Sequence, residues 1–173
     1  MTALRRVPTA GYLVWHLSLK WRVAVDRALS PLGLTHTHYS LLASLYALSR
    51  YEARPSQREL ADFSGLEPMY VSKLVRTLQR DGLVRRTDHP DDPRAFQLAP
   101  TAQGAELAVA AAGIVRQLYD RLLLPTGGWS GRGTRTLMRT LDALLDRAEA
   151  WNQDTEAAAL LRGRSVAKRR RPA

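Results

Sequence analysis

Leu13, Leu17, Trp21, Ala24 and Ala28 recur at the spacing of one helical face, which predicts a first helix from Gly11 to Leu29. Pro31-Leu32-Gly33 ends it. Thr35 then supplies a capping hydroxyl for a second helix, with Leu41, Leu42, Leu45 and Leu48 as its stripe. Ser56-Gln57-Arg58-Glu59 reads as a capping box, in which serine oxygen and glutamate carboxylate each satisfy a free amide. The third helix that it opens is short, carries Leu60, Ala61 and Phe63, and stops at Gly65. Glu67-Pro68 opens a fourth, with Val71, Leu74, Val75 and Leu78 as its i, i+3, i+4, i+7 face. Asp81-Gly82 terminates that helix.

From there the pattern changes. Leu83 to Thr87 and Ala95 to Ala99 are predicted to pair as a hairpin. Its connection, Asp88 to Arg94, contains Pro90 and Pro93 and is too long for a tight turn. Helix resumes after Thr101 in an alanine-rich run from Ala102 to about Leu124, broken by Pro125-Thr126-Gly127-Gly128. A last helix from about Thr134 to Trp151 carries Leu137, Leu141, Leu144, Leu145 and Ala148. The expected fold class is mainly α with a small β wing: a winged helix-turn-helix embedded in a helical dimerisation domain.

Composition sharpens this outline in a few places. At 173 residues and 45% hydrophobic, the chain can bury a real core. The net charge of +10 is uneven, because Arg162, Arg164, Lys168, Arg169, Arg170 and Arg171 contribute six charges with no acid among them. This basic segment lacks apolar periodicity and is expected to be disordered. With no cysteine, disulfides and thiol chemistry are excluded. No apolar run approaches the ~20 residues of a membrane span. Pro8, Gly11, His16 and Lys20 interrupt any secretory signal, so a cytoplasmic location is expected.

The fourth helix carries the chemistry. On a wheel, the centre of its apolar stripe lies opposite Met69, Lys73, Arg76 and Arg80, with Tyr70, Ser72 and Thr77 flanking that outer face. Five basic residues against Asp81 give the stretch from Ser72 to Arg86 a net +4. Alone, such a helix would be an ordinary solvated face. The capped helix before it, the Gly65 turn and the wing after it favour a DNA-reading helix, since an α-helix fits the major groove. In the wing, Arg94 stands beside Asp91 and Asp92, either as a structural ion pair or as an arginine oriented for the minor groove. Arg80, Arg85 and Arg86 are expected to contact phosphates.

These residues resemble the MarR family of bacterial transcription regulators. The matching elements are Leu34-Thr35, Glu59-Leu60-Ala61, Val71-Ser72-x-Leu74-Val75, Gly82-Leu83-Val84-x-Arg86, Asp92-x-Arg94-Ala95 and Thr101-x-x-Gly104. The match extends from about Gly11 to Trp151. The resemblance implies an obligate homodimer whose first and last helices interlock, with winged helices that bind a pseudo-palindromic operator in double-stranded DNA. Apolar stripes on the terminal helices that their own chain is too short to cover are consistent with such a partner. Two departures stand out. Pro100 replaces the family's usual leucine, which is expected to end the second wing strand early. Met69 and Tyr70 are bulkier than usual at the start of the recognition helix.

The resemblance also implies release of DNA by a small aromatic or phenolic effector bound between the dimerisation helices and the winged domain. Trp15, His16, His36, His38 and Tyr39 are the candidates for that pocket, the alternative being core or dimer packing for Trp15 and Tyr39 and partly exposed positions for the histidines. No metal or cofactor is expected. His36 and His38 point about 200° apart on a helix, and the later histidine pair of zinc-sensing relatives is absent. There is no glycine-rich phosphate loop or HExxH helix either, and an enzyme is not expected. The expected division is 1–34 as a dimerisation helix, 35–101 as the DNA-binding domain, 102–152 as further dimerisation helices and 153–173 as the tail. The expected function is a sequence-specific regulator, a repressor, with a nonspecific architectural DNA-binding protein that relies on its basic tail as the alternative.

Overall fold

The computed structural model describes residues 8–51, 53–88 and 96–153. In chain order the elements are α1 (Ala10–Leu29), a 3-10 turn (Ser30–Leu32), α2 (His36–Ser49), α3 (Gln57–Ser64), α4 (Pro68–Arg80), β1 (Val84–Asp88), β2 (Phe96–Pro100) and α5 (Ala102–Leu122). A second 3-10 turn (Leu124–Thr126) and α6 (Arg132–Gln153) complete them. The chain divides into two compact units, one ending at Tyr119 and the other beginning at Asp120. The basic tail and the wing tip, including Asp91, Asp92 and Arg94, lie outside the described residues.

Helix boundaries follow local chemistry. The Thr35 hydroxyl accepts from the His38 amide, and Ser56 and Glu59 form the reciprocal capping box. Gly65 ends α3 at φ 66°, a left-handed conformation that a side chain rarely adopts. The first unit's core collects Val25 and Leu29 of α1, Leu41, Leu42 and Leu45 of α2, Leu60 of α3, and all four stripe residues of α4. Leu98 of β2 and Ala108, Ala111 and Val115 of α5 close it. The Trp21 and Tyr119 rings meet at a tilt, 4.9 Å between centres, which ties α1 to α5.

β1 and β2 pair antiparallel in the register Arg85↔Ala99 and Arg86↔Leu98. A single bridge, Ser56↔Gln97, adds the segment before α3 to the sheet, and the Leu98 amide donates to the Pro55 carbonyl at 2.9 Å.

Several expectations are corrected. The first strand begins one residue later than expected, at Val84, because Leu83 is used to close α4: its amide donates to the Leu78 carbonyl. The expected start of the second strand, Ala95, lies outside the described residues. Pro100 does not end the second strand early. It pairs with Val84 as the last strand residue, a place where a missing amide is tolerated. Phe63 is exposed, since it stands about 110° from the centre of the Leu60/Ala61 face. The α1 stripe is left partly uncovered by its own chain, in keeping with expectation: Leu13 and Leu17 are half exposed, and the buried residues of the helix are Val25 and Leu29. Among the described residues of α6 no apolar side chain is buried, and Leu144 and Leu145 are more than half exposed.

In the second unit, Thr134 is buried at the start of α6. Its hydroxyl meets the Thr126 hydroxyl at 2.6 Å and donates to the Gly128 carbonyl. Asp120 accepts from the Trp129 amide at 2.8 Å. A turn so closely folded leaves no room for side chains at Gly131, where a Cβ would fall 2.5 Å from the Thr126 carbonyl oxygen.

Candidate nucleic-acid interface

Burial of Val71, Leu74, Val75 and Leu78 fixes the rotation of α4, and with it the opposite face. Met69, Tyr70, Lys73, Arg76 and Arg80 are exposed, while Ser72 and Thr77 are half-buried at its margins. Glu67 makes no side-chain cap hydrogen bond, and Pro68 occupies the first turn, where its missing amide costs nothing. Every residue expected on the reading face of α4 therefore shares one surface. Arg80 is the exception in chemistry: its Nε donates to Asp81 at 3.1 Å, so its guanidinium is partly committed within the chain.

Arg85 and Arg86 are separated by strand alternation. Arg86 lies on the face that carries Val84 and Leu98 to the core, whereas Arg85 projects from the other. Arg86 stacks on the Phe96 ring at 4.0 Å. Its Nε is buried without a hydrogen-bond partner among the described residues. Two neighbouring arginines expected to act together thus face opposite ways. Phe96 escaped the sequence reading, although its parity with the core-facing Leu98 was the available signal.

The wing is fastened to the helix that follows it. The Thr101 hydroxyl donates to the Gly82 carbonyl at 2.7 Å and accepts from the Gly104 amide at 3.0 Å, while the Thr101 amide donates to the Leu83 carbonyl. Gly104 must be glycine here: a Cβ would lie 1.9 Å from the Leu83 carbonyl oxygen.

The expected effector residues form separate groups. His16 lies between the rings of Tyr12 and Trp15, at 4.1 and 4.6 Å. An open groove of about 400 Å³ is lined by His16, Lys20, Val23 and Arg27, and it includes none of His36, His38 and Tyr39. His36 receives its backbone cap from Asp26, and His38 Nδ1 meets the Thr35 hydroxyl at 3.0 Å. Burial lowers the His36 pKa and raises that of Tyr39. Among the described residues no cluster of three His, Asp or Glu side chains could hold a metal, and no helix is long and apolar enough to cross a membrane.

Residues 34–96 match the MarR family model. The chain is 35% identical over 108 residues to the uncharacterized HTH-type transcriptional regulator YdcH of Bacillus subtilis (strain 168), covering 62% of this chain and 74% of that protein. It is 32% identical over 113 residues to the HTH-type transcriptional repressor Mb2911 of Mycobacterium bovis, 65% of this chain and 78% of the relative. Its fold is also similar to that of the Mycobacterium tuberculosis transcriptional regulator MOSR, solved in complex with DNA. That similarity has a TM-score of 0.67 and 29% identity, and spans 82% of this chain and 97% of the other.

Proposed function

The chain belongs to the MarR family of DNA-binding transcriptional regulators, and on that premise we propose that it is a homodimeric repressor of a pseudo-palindromic operator. Met69, Tyr70, Ser72, Lys73, Arg76 and Thr77 enter the major groove from α4. Arg94, oriented by Asp92, reaches the minor groove from the wing. Arg80, Arg85 and Arg86 hold phosphates, with Arg86 and Arg85 serving different sides of the hairpin. Residues 35–101 are the DNA-binding part.

The observation that carries this reading is the rotation of α4: a fully buried apolar stripe holds a basic, hydroxyl-bearing face in solvent. Dimerisation is supported by α1, whose Leu13, Trp15 and Leu17 are each half exposed or more, and separately by Leu144 and Leu145 of α6. Patches of this kind are what a symmetric partner covers. Two recognition helices would then read half-sites ~34–36 Å apart. The repressor role is supported by the Mycobacterium bovis relative, which is named a transcriptional repressor.

An aryl acid is the proposed inducer, with Trp15 and His16 as one half of its contacts and His36, His38 and Tyr39 as the other. Light scattering on the full chain, followed by genome-wide mapping of bound sites, tests the regulator. A monomer, or sites without a shared palindrome, refutes it. Adding salicylate to the bound complex tests the inducer, which an unchanged affinity would remove.

A further inference from the structure

We propose that Arg54 and Arg85 form a cradle for a phosphate or carboxylate oxyanion on the outer face of the wing sheet. The placement follows from register. Ser56 bridges Gln97, so alternation puts Arg54 on the same face as Gln97 and Ala99. Arg85 is paired directly with Ala99. Two guanidinium-bearing side chains thus flank one methyl group. The space between them is an open cavity of about 590 Å³ lined by Ser49, Ala53, Arg54, Arg85, Ala99 and Pro100.

Its charge is unbalanced. Among the described residues no acidic side chain lines the cavity, and neither arginine has a carboxylate partner. Like charges across a single alanine repel, and an oxyanion that accepts from both relieves the repulsion. The carboxyl end of α2 borders the cavity and would oppose an anion if its carbonyls were free. Two of them are occupied: Ala47 accepts from Arg50, and Leu48 from both Tyr51 and Ala53. Ser49 likewise spends its hydroxyl proton on the Tyr46 carbonyl. Among the described residues the two arginines are the charged side chains that line the site, and it lies apart from the reading face of α4.

A free anion and a phosphate of bound duplex share this chemistry, and only the duplex source rests on the function proposed above. Inorganic phosphate is titrated into the full chain by NMR, with chloride at equal ionic strength as the control. Salt-dependent duplex binding is measured alongside. Phosphate-specific shifts at residues 54, 85 and 99, about tenfold weaker in Arg54→Ala and absent in Ala99→Asp, establish the cradle. An unchanged salt slope in Arg54→Ala then assigns a free anion; a slope lower by about one assigns the duplex. Wild-type protein that binds phosphate but no duplex upholds the cradle while sinking the operator reading. Phosphate no better than chloride, together with an unaltered slope, overturns the proposal.

Discussion

Asp26 on α1 accepts a hydrogen bond of 2.6 Å from the backbone amide of His36, the first residue of α2. One helix therefore caps the next across the Pro31-Leu32-Gly33 turn, and the carboxylate also stands at the positive end of the α2 dipole. Asp26→Ala is expected to cost about 0.5–2 kcal/mol of stability. Urea unfolding of the two proteins, compared at equal protein concentration, checks it; equal midpoints would show that solvent replaces the cap.

The same junction gives a pH dependence. Burial is the largest influence on His36; the Asp26 charge opposes it and Arg22 reinforces it, leaving the folded pKa below the usual 6.5. The unfolded chain thus binds a proton before the folded one does. Stability from this group is complete above pH 6.5 and is lost as pH falls from there through the folded value. His36→Gln should lose less stability than wild type between pH 8 and pH 5, as read by thermal unfolding. Parallel losses would clear His36 of the effect.

Gly104 and Gly113 both lie in α5 but predict opposite signs. Alanine at 104 meets the Leu83 carbonyl oxygen, a backbone atom, so the wing base must move. Overpacking of this kind costs about 1–3 kcal/mol. At 113 an added Cβ meets nothing within 4 Å, and the helix gains about 0.5–1 kcal/mol. Melting temperatures of the two variants are expected to fall and rise, respectively.

Arg76 is exposed near the middle of the outer face of α4. If it reads a base, Arg76→Ala costs about 1–3 kcal/mol in operator affinity and relaxes preference at one position. Selection from randomised duplexes measures this. A uniform loss with a shallower salt slope makes it a phosphate contact instead.

Truncation after Leu161 removes the arginine-rich end and separates a regulator from an architectural protein. Operator selectivity should survive the deletion, with only a nonspecific, salt-sensitive share of affinity lost. Collapse of all duplex binding would transfer the activity to the tail.

Much of the first unit was legible because local signals agreed. The α4 stripe, the Ser56/Glu59 box and the Gly65 stop each have a mechanism that acts within a few residues. Leu13 and Leu17 mark the reach of such signals: periodicity reports that a face is apolar, not which chain buries it. The first strand starts one residue late because Leu83 serves the helix end before the strand. In the site, the α4 face could be read from the wheel, but the division between Arg85 and Arg86 required a register. The role of Gly104 required the three-dimensional approach of Leu83, of which sequence spacing gives no hint.

The Thr101 bonds to Gly82 and Leu83 make the wing's root and the start of α5 a single mechanical part. A lever so mounted cannot tilt by itself. Whatever turns the head of α5 swings the hairpin through the same angle, and the swing grows with distance from that pivot, so a small rotation there becomes a large displacement farther out.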